Sequence, residues 1–162
     1  GRLTLDVDLG STTDFSTRMT AGSALRFGWR FDLGRVWIEP EIGGAYTALT
    51  TFGCDFCRGM NHLPRGFGGV RLGGAGLLAD VIEPSIFGHV GYGRVLGAHE
   101  YQAEPSTGGP AADMGFAIDA VVTRHFRFGG QAAYNVIATP VDAGSAPPPK
   151  WISFGLHAGL AF

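Results

Sequence analysis

The sequence predicts an all-β chain folded as an eight-stranded antiparallel up-and-down barrel, and three observations predict it. Apolar and polar residues alternate with a period of two over eight separate segments. Glycine is abundant (27 of 162 residues), charged residues are few (16%), and Lys150 is the only lysine. Helix formers are therefore scarce. The breaks between the segments alternate long and short along the chain, as the two ends of an up-and-down barrel would require.

The first segment, "RLTLDVDLG", sets Leu3, Leu5, Val7 and Leu9 against Arg2, Thr4, Asp6 and Asp8. A polar run from Ser11 to Thr20 reads as a long connection. The second, "SALRFGWRFD", opposes Leu25, Phe27, Trp29 and Phe31 to Arg26, Gly28, Arg30 and Asp32. After the short "LGR", the third places Val36, Ile38, Pro40, Ile42 and Tyr46 opposite Trp37, Glu39 and Glu41. The stretch "TTFGCDFCRGMNHLPR" reads as irregular. A fourth strand is expected over 66–79, with Val70, Leu72 and Leu78 on one face and Arg71 on the other. A short break near Asp80 leads to the fifth, "IEPSIFGHVGYG", with Ile82, Pro84, Ile86, Val90 and Tyr92 opposite Glu83, Ser85, Phe87 and His89.

A Gly/Pro-rich run, about 94–112, reads as the next long connection. The sixth strand, Asp113 to Thr123, carries Met114, Phe116, Ile118 and Val122 against Asp119 and Thr123. A tight turn at Arg124–His125 enters the seventh, where Phe126, Phe128, Tyr134 and Val136 oppose Arg127, Gln131 and Asn135. "TPVDAGSAPPP" precedes the eighth strand, "KWISFGLHAGLAF". There Ile152, Phe154, Leu156, Ala158, Leu160 and Phe162 alternate with Trp151, Ser153, Gly155, His157, Gly159 and Ala161. "WIEPEIGG" at 37–44 echoes "VIEPSIFG" at 81–88, each just after a short turn, which reads as repeated hairpin architecture rather than a solenoid.

Length fits one barrel domain spanning 1–162. A net charge of −2 carries no nucleic-acid footprint. No stretch approaches the roughly 20 apolar residues of a spanning helix, but a closed barrel needs only alternating strands of about 9–11 residues. No charged n-region precedes an apolar core, so any signal peptide is expected to lie outside this numbering.

Alternation alone does not separate a soluble lipocalin-like barrel, apolar inside, from a transmembrane one, apolar outside. Three features favour the transmembrane β-barrel. On the apolar face, Phe31, Phe126, Phe128 and Phe162 lie near the short turns, while Tyr46, Tyr92 and Tyr134 lie toward the long connections. Two aromatic levels around an aliphatic band match interfacial girdles. The polar face offers Asp6, Asp8, Glu39, Glu41, Glu83 and Asp119 against Arg26, Arg30, Arg71 and Arg127. Such charges read as a paired network in a narrow lumen, beside glycines that leave room. The third feature is the last strand, apolar at alternate positions back from Phe162 to Phe154.

On that strand and the eight-segment pattern, the chain resembles the small bacterial outer-membrane β-barrels of the outer-membrane protein A and X type, a porin-like family. The resemblance implies an integral outer-membrane location and contact with outer-membrane lipid and lipopolysaccharide. It also implies that Phe154, Leu156, Leu160 and Phe162 act as the recognition signal for the barrel assembly machinery.

Cys54 and Cys57 are expected to close a disulfide in an extracytoplasmic connection. A metal site with His62 would have only three candidate ligands, and haem attachment would need His where Arg58 stands. No catalytic, cofactor or metal residue is assigned. A deacylase would need a Ser–His pair near a rim, whereas His89 and His157 have lumen parity and His125 lies in a turn. The His99–Glu100–Tyr101 cluster with Ser106 reads as loop chemistry. Leu72 is expected on the lipid face near mid-strand, intolerant of Arg, and Gly73 on the lumen face, tolerant of Ser. The functional expectation is a non-enzymatic structural or adhesive barrel, or an anchor for other envelope proteins. The alternatives are a lipid-modifying enzyme and a soluble ligand-binding barrel.

Overall fold

A computed structural model describes residues 1–14, 19–51, 59–74, 81–98, 107–138 and 150–162. Eight strands follow one another: β1 (Arg2–Asp14), β2 (Met19–Leu33), β3 (Val36–Thr51), β4 (Gly59–Gly74), β5 (Ile82–Ala98), β6 (Thr107–Thr123), β7 (Phe126–Ile137) and β8 (Lys150–Ala161). Each pairs antiparallel with its sequence neighbours, and β8 pairs with β1 to close the barrel. The seam runs from Thr4 opposite Ala161 to Asp14 opposite Trp151. It is extended by a bond from the Phe162 amide to the Leu3 carbonyl at 2.9 Å. No described strand is left with an open edge, which is the condition for a sheet surrounded by lipid.

Two short turns are built by local chemistry. Gly34 adopts φ 79°, a left-handed conformation that costs glycine little, and lets β2 turn into β3 within two residues. At the β6–β7 turn the Thr123 hydroxyl accepts from the amides of His125 and Phe126 at 3.2 and 3.0 Å. His125 Nδ1 donates to the Ala161 carbonyl at 2.8 Å and ties this turn to the neighbouring strand.

The strands run further toward the long-connection end than the sequence suggests. Ser11–Asp14 and Met19–Thr20, expected as loop, pair with each other or with neighbouring strands. Residues 59–65 extend β4, 94–98 extend β5, and 107–112 extend β6. Serine-, threonine- and glycine-rich sequence has turn character, but nothing in it prevents a hairpin from continuing to pair. On one side, three long connections therefore shrink to 15–18, 52–58 and 99–106, while the fourth, 138–149, keeps close to its expected length. On the other side, β4 is described only to Gly74, so Leu78 and the rest of 75–80 lie outside the described residues.

Register fixes the geometry. From Thr4 the cross-strand partners run Gly28, Glu41, Gly69, His89, Asp113, Asn135, Trp151 and back to Asp14, a shift of ten residues in one circuit. With a rise of about 3.3 Å per residue and strands about 4.8 Å apart, this shift tilts the strands by about 40° and sets the backbone roughly 8 Å from the axis. An interior of that width holds side chains.

The two faces separate cleanly. Outside, large apolar residues are exposed on all eight strands, among them Leu9, Phe27, Ile42, Val70, Ile86, Phe116, Phe128 and Leu156. Inside, most of the large buried side chains are charged or polar, and Arg71, Glu39 and Asp119 are each 0% exposed. This is the reverse of a lipocalin-like barrel. Two small apolar clusters interrupt the polar interior: Leu63, Ala111, Ile137 and Trp151 toward the long connections, and Phe87, Ala117 and Ala133 deeper in.

Candidate functional site

The lumen network begins with alternation: every second residue of a strand points inward, so carboxylates and guanidinium groups from different strands converge on the axis. All ten residues proposed from the sequence for a polar network are buried: Asp6, Asp8, Arg26, Arg30, Glu39, Glu41, Arg71, Glu83, Asp119 and Arg127. They form linked groups. Near the short turns, Arg127 Nη2 donates to Asp6 Oδ2 at 2.6 Å and to Glu39 Oε1 at 3.1 Å. Its Nε adds a bond to Asp6 Oδ1 at 3.2 Å, and the Thr4 hydroxyl donates to Glu39 Oε1 at 2.7 Å. Beside them Arg30 grips Glu83 with two parallel bonds of 2.7 and 2.9 Å, and its guanidinium lies 4.3 Å over the Trp37 ring. Such two-point grips on carboxylates are the strongest polar contacts a side chain offers.

Further up, Arg26 Nη2 donates to Asp8 Oδ1 at 2.8 Å. His89 spans the lumen: Nε2 meets Glu41 Oε1 at 2.6 Å and Nδ1 meets Asp113 Oδ1 at 2.5 Å. Its ring sits between Phe67 and Phe87, with centroids 4.7 and 5.2 Å away. Ionised carboxylates only accept, so with both acids ionised each ring nitrogen carries a proton and His89 is an imidazolium cross-brace among β3, β5 and β6. Arg71 lies 3.7 Å from Glu41 and 4.0 Å from Asp119, with its guanidinium 5.2 Å over Phe87. Among the described residues none offers its side-chain nitrogens a hydrogen bond, so Coulomb attraction and the aromatic face hold it. Asp119 also contacts His157 Nε2.

Sequence reasoning did not include several members of this network. Arg65 and Asp113, 3.6 Å apart, are not among the ten: residues up to 65 read as loop, and Asp113, the first residue of the expected sixth strand, is not assigned to the polar face. His89 and His157 had inward parity but no partner visible in the sequence. Extending β4 by the same period would have placed Arg65 inside.

Glycines make the room. A Cβ on Gly159 would collide with Asp6 Oδ1 and with Arg127 Nε, and one on Gly28 would lie 2.6 Å from Glu39 Oε1. Gly73 corrects an expectation: a Cβ there would run into the Trp37 indole, so this position has no space for Ser. Beside Asp8, Thr47, Arg65 and Gln131 the lumen keeps a cavity of about 80 Å³, room for a few waters. Asp6, Glu39 and Glu41 bring three carboxylate oxygens close enough to hold a cation. Two of these acids are already bonded to Arg127, whose charge occupies that position.

On the outer wall, Phe31, Phe126, Phe128, Phe162, Tyr46, Tyr92 and Tyr134 are all exposed. Carrying the ten-residue shift into heights along the axis sets the three tyrosines at one level, about 20 Å above the phenylalanine level, close to the roughly 25 Å apolar band of membrane barrels. Trp29 joins the lower ring, whereas Phe27 and Phe116 sit between the two. The same frame moves Leu72 down to the level of Phe128, at the edge of the band, and puts Ile42 at its middle. The proposed assembly-signal residues Phe154, Leu156, Leu160 and Phe162 all face outward. Cys54 and Cys57 lie outside the described residues, as does the cluster at 99–106.

No protein-family model matches the chain, and no curated protein matches it. Solved structures do. The attachment invasion locus protein Ail of Yersinia pestis aligns over 99% of this chain and 97% of its own, with TM-score 0.62 and 12% identity. A major outer membrane protein from Thermus thermophilus aligns over 99% and 98%, with TM-score 0.58 and 10% identity. The outer membrane enzyme PagL aligns over 95% and 97%, with TM-score 0.55 and 15% identity. At these identities the likeness concerns architecture. With its closed antiparallel circuit and inverted faces, the chain has the fold of the small eight-stranded outer-membrane β-barrels.

Proposed function

We propose that the chain is an integral barrel of the bacterial outer membrane, with a structural, adhesive or envelope-anchoring role exercised through the connections at its tyrosine end. The observation that carries this is the inversion of faces. Apolar side chains cover the outer wall of every strand while the charges are paired inside. In water that belt would be a liability far larger than the patches soluble proteins expose; in lipid it is the stabilising surface. The filled lumen argues against a pore, since eight strands leave an interior that side chains occupy.

A non-enzymatic role is supported by where the four histidines among the described residues lie. His89 and His157 are held by lumen carboxylates and His125 by a turn carbonyl. His62 faces outward but pairs with the Tyr46 hydroxyl. PagL shows that this fold can carry an enzyme, so the reading needs a direct test. Incubation of the folded barrel with lipopolysaccharide should leave the mass spectrum of lipid A unchanged; loss or gain of an acyl chain would overturn it. For the anchoring role, residues 139–149 would be replaced by a short Gly/Ser turn in cells that display the chain. Barrel assembly should persist while attachment is lost, and attachment that survives would contradict the role.

The alternating apolar set at 154–162 serves, on this proposal, as the signal read by the barrel assembly machinery. Cys54 and Cys57 form a disulfide in the β3–β4 connection. Alkylation of both thiols should then require prior reduction.

A further inference from the structure

The charges of the lumen do not balance on arginines alone. The ten network residues comprise six acids and four arginines, and Arg65 with Asp113 adds one of each. Among the described residues, seven carboxylates therefore face five guanidinium groups in the lumen. Asp32, at the short-turn mouth, is already shared by Arg2 and Arg30. Uncompensated charge sealed inside a narrow wall is strongly destabilising, so two further positive charges are required. The only other buried ionisable side chains among the described residues are His89 and His157.

Each of these histidines stands between two acids. His89 on β5 meets Glu41 on β3 and Asp113 on β6 at 2.6 and 2.5 Å. The arginines around those acids are Arg71 on β4 and Arg26 on β2, 3.7 and 4.0 Å from Glu41, and Arg65 on β4, 3.6 Å from Asp113. His157 on β8 contacts Asp119 on β6 through Nε2 and has Asp8 on β1 4.0 Å from Nδ1. Arg71 lies 4.0 Å from Asp119 and Arg26 2.8 Å from Asp8, while Gly129, the β7 partner of His157, brings no side chain.

We propose that His89 and His157 are both imidazolium in the folded barrel, and that these two protons lock the lumen as a pH-responsive plug addressed from the tyrosine end. Access is one-sided. A cavity of about 50 Å³ lined by His89 and Asp113 adjoins the one beside Thr47, with Asp8, Arg65 and Gln131 lining both. Thr47 neighbours Tyr46, so the route to His89 starts at the tyrosine level. Toward the short turns, Arg127 with Asp6 and Glu39, and Arg30 with Glu83, fill the lumen. A proton lost from His89 leaves Glu41 and Asp113 as like charges about a neutral ring. Stability is then greatest with both protons in place and falls toward alkaline pH. None of this depends on what the connections bind.

The direct test is nitrogen-15 NMR of the folded chain in micelles, with labelled histidine, at pH 7.5, where a free imidazole is about nine-tenths neutral. Signals are assigned by their loss in His89→Asn and His157→Asn. Both residues should show two protonated ring nitrogens; a bare nitrogen on either would overturn the proposal. The second test is unfolding by guanidinium from vesicles. His89→Gln should lower the midpoint, and adding Asp113→Asn, which restores the charge balance, should regain most of that loss. A double variant as weak as the two single losses combined would overturn the role of charge balance. The unmodified chain should also lose midpoint between pH 7.5 and pH 9.5, and the double variant should lose less. Equal losses would overturn the assignment of the response to His89.

Discussion

Substituting Arg for Ile42 tests the outer wall where its assignment is most exposed to refutation. Ile42 points outward from β3 and is 67% exposed, pairing with Phe27 on one side and Gly68 on the other. The ten-residue shift places it about midway between the phenylalanine and tyrosine levels. An arginine at the midplane of a membrane barrel costs roughly 2–4 kcal/mol, and near an interface about 0–1 kcal/mol. Leu72, also outward but level with Phe128, supplies the contrast within the same sheet. Ile42→Arg should therefore lower the unfolding free energy by about 3 kcal/mol, and Leu72→Arg by no more than about 1 kcal/mol. Both are measured by reversible guanidinium unfolding from vesicles of one fixed lipid, at matched m-values. Equal costs would show that the height frame, and with it the tilt, is wrong. A harmless Ile42→Arg would show that this face does not meet lipid.

Two further substitutions probe the lumen. Arg127→Met should cost about 3–5 kcal/mol, because it leaves the buried carboxylates of Asp6 and Glu39 facing each other without their shared cation. A loss under about 1 kcal/mol in the same unfolding assay would mean that this pairing is dispensable. Gly73→Ser should be destabilising by about 1–3 kcal/mol through displacement of the Trp37 indole, whereas Gly66→Ala, with open space around its Cβ, should be neutral or slightly stabilising. The reverse order would refute the packing described for Trp37.

Face assignment was legible in the sequence because a strand has a fixed period of two, and one correct phase orders a whole segment. Asp6 and Asp8, or Glu39 and Glu41, could be paired with inward arginines as a class on parity alone. Which arginine meets which acid could not be read, since Arg127 reaches Glu39 across the barrel over 88 positions of sequence. Depth was equally hidden. Leu72 looks mid-strand in the chain, and only the shear of the closed barrel brings it level with Phe128. Strand ends were missed where Ser, Thr and Gly continue pairing despite their turn character, as in Ser11–Asp14 and 107–112. Gly73 was misread because its neighbour, Trp37, lies on another strand.

The three tryptophans allow the most direct test of an apolar face turned to lipid and a polar face turned inward. Trp29 is exposed on the outer wall, while Trp37 and Trp151 are buried in the lumen. With the chain folded in vesicles whose acyl chains carry bromine, the intrinsic fluorescence should be partly quenched. Trp29→Phe should abolish that quenching while leaving the emission of Trp37 and Trp151. Quenching that persists in Trp29→Phe, or none in the unmodified chain, would contradict the assignment of the two faces.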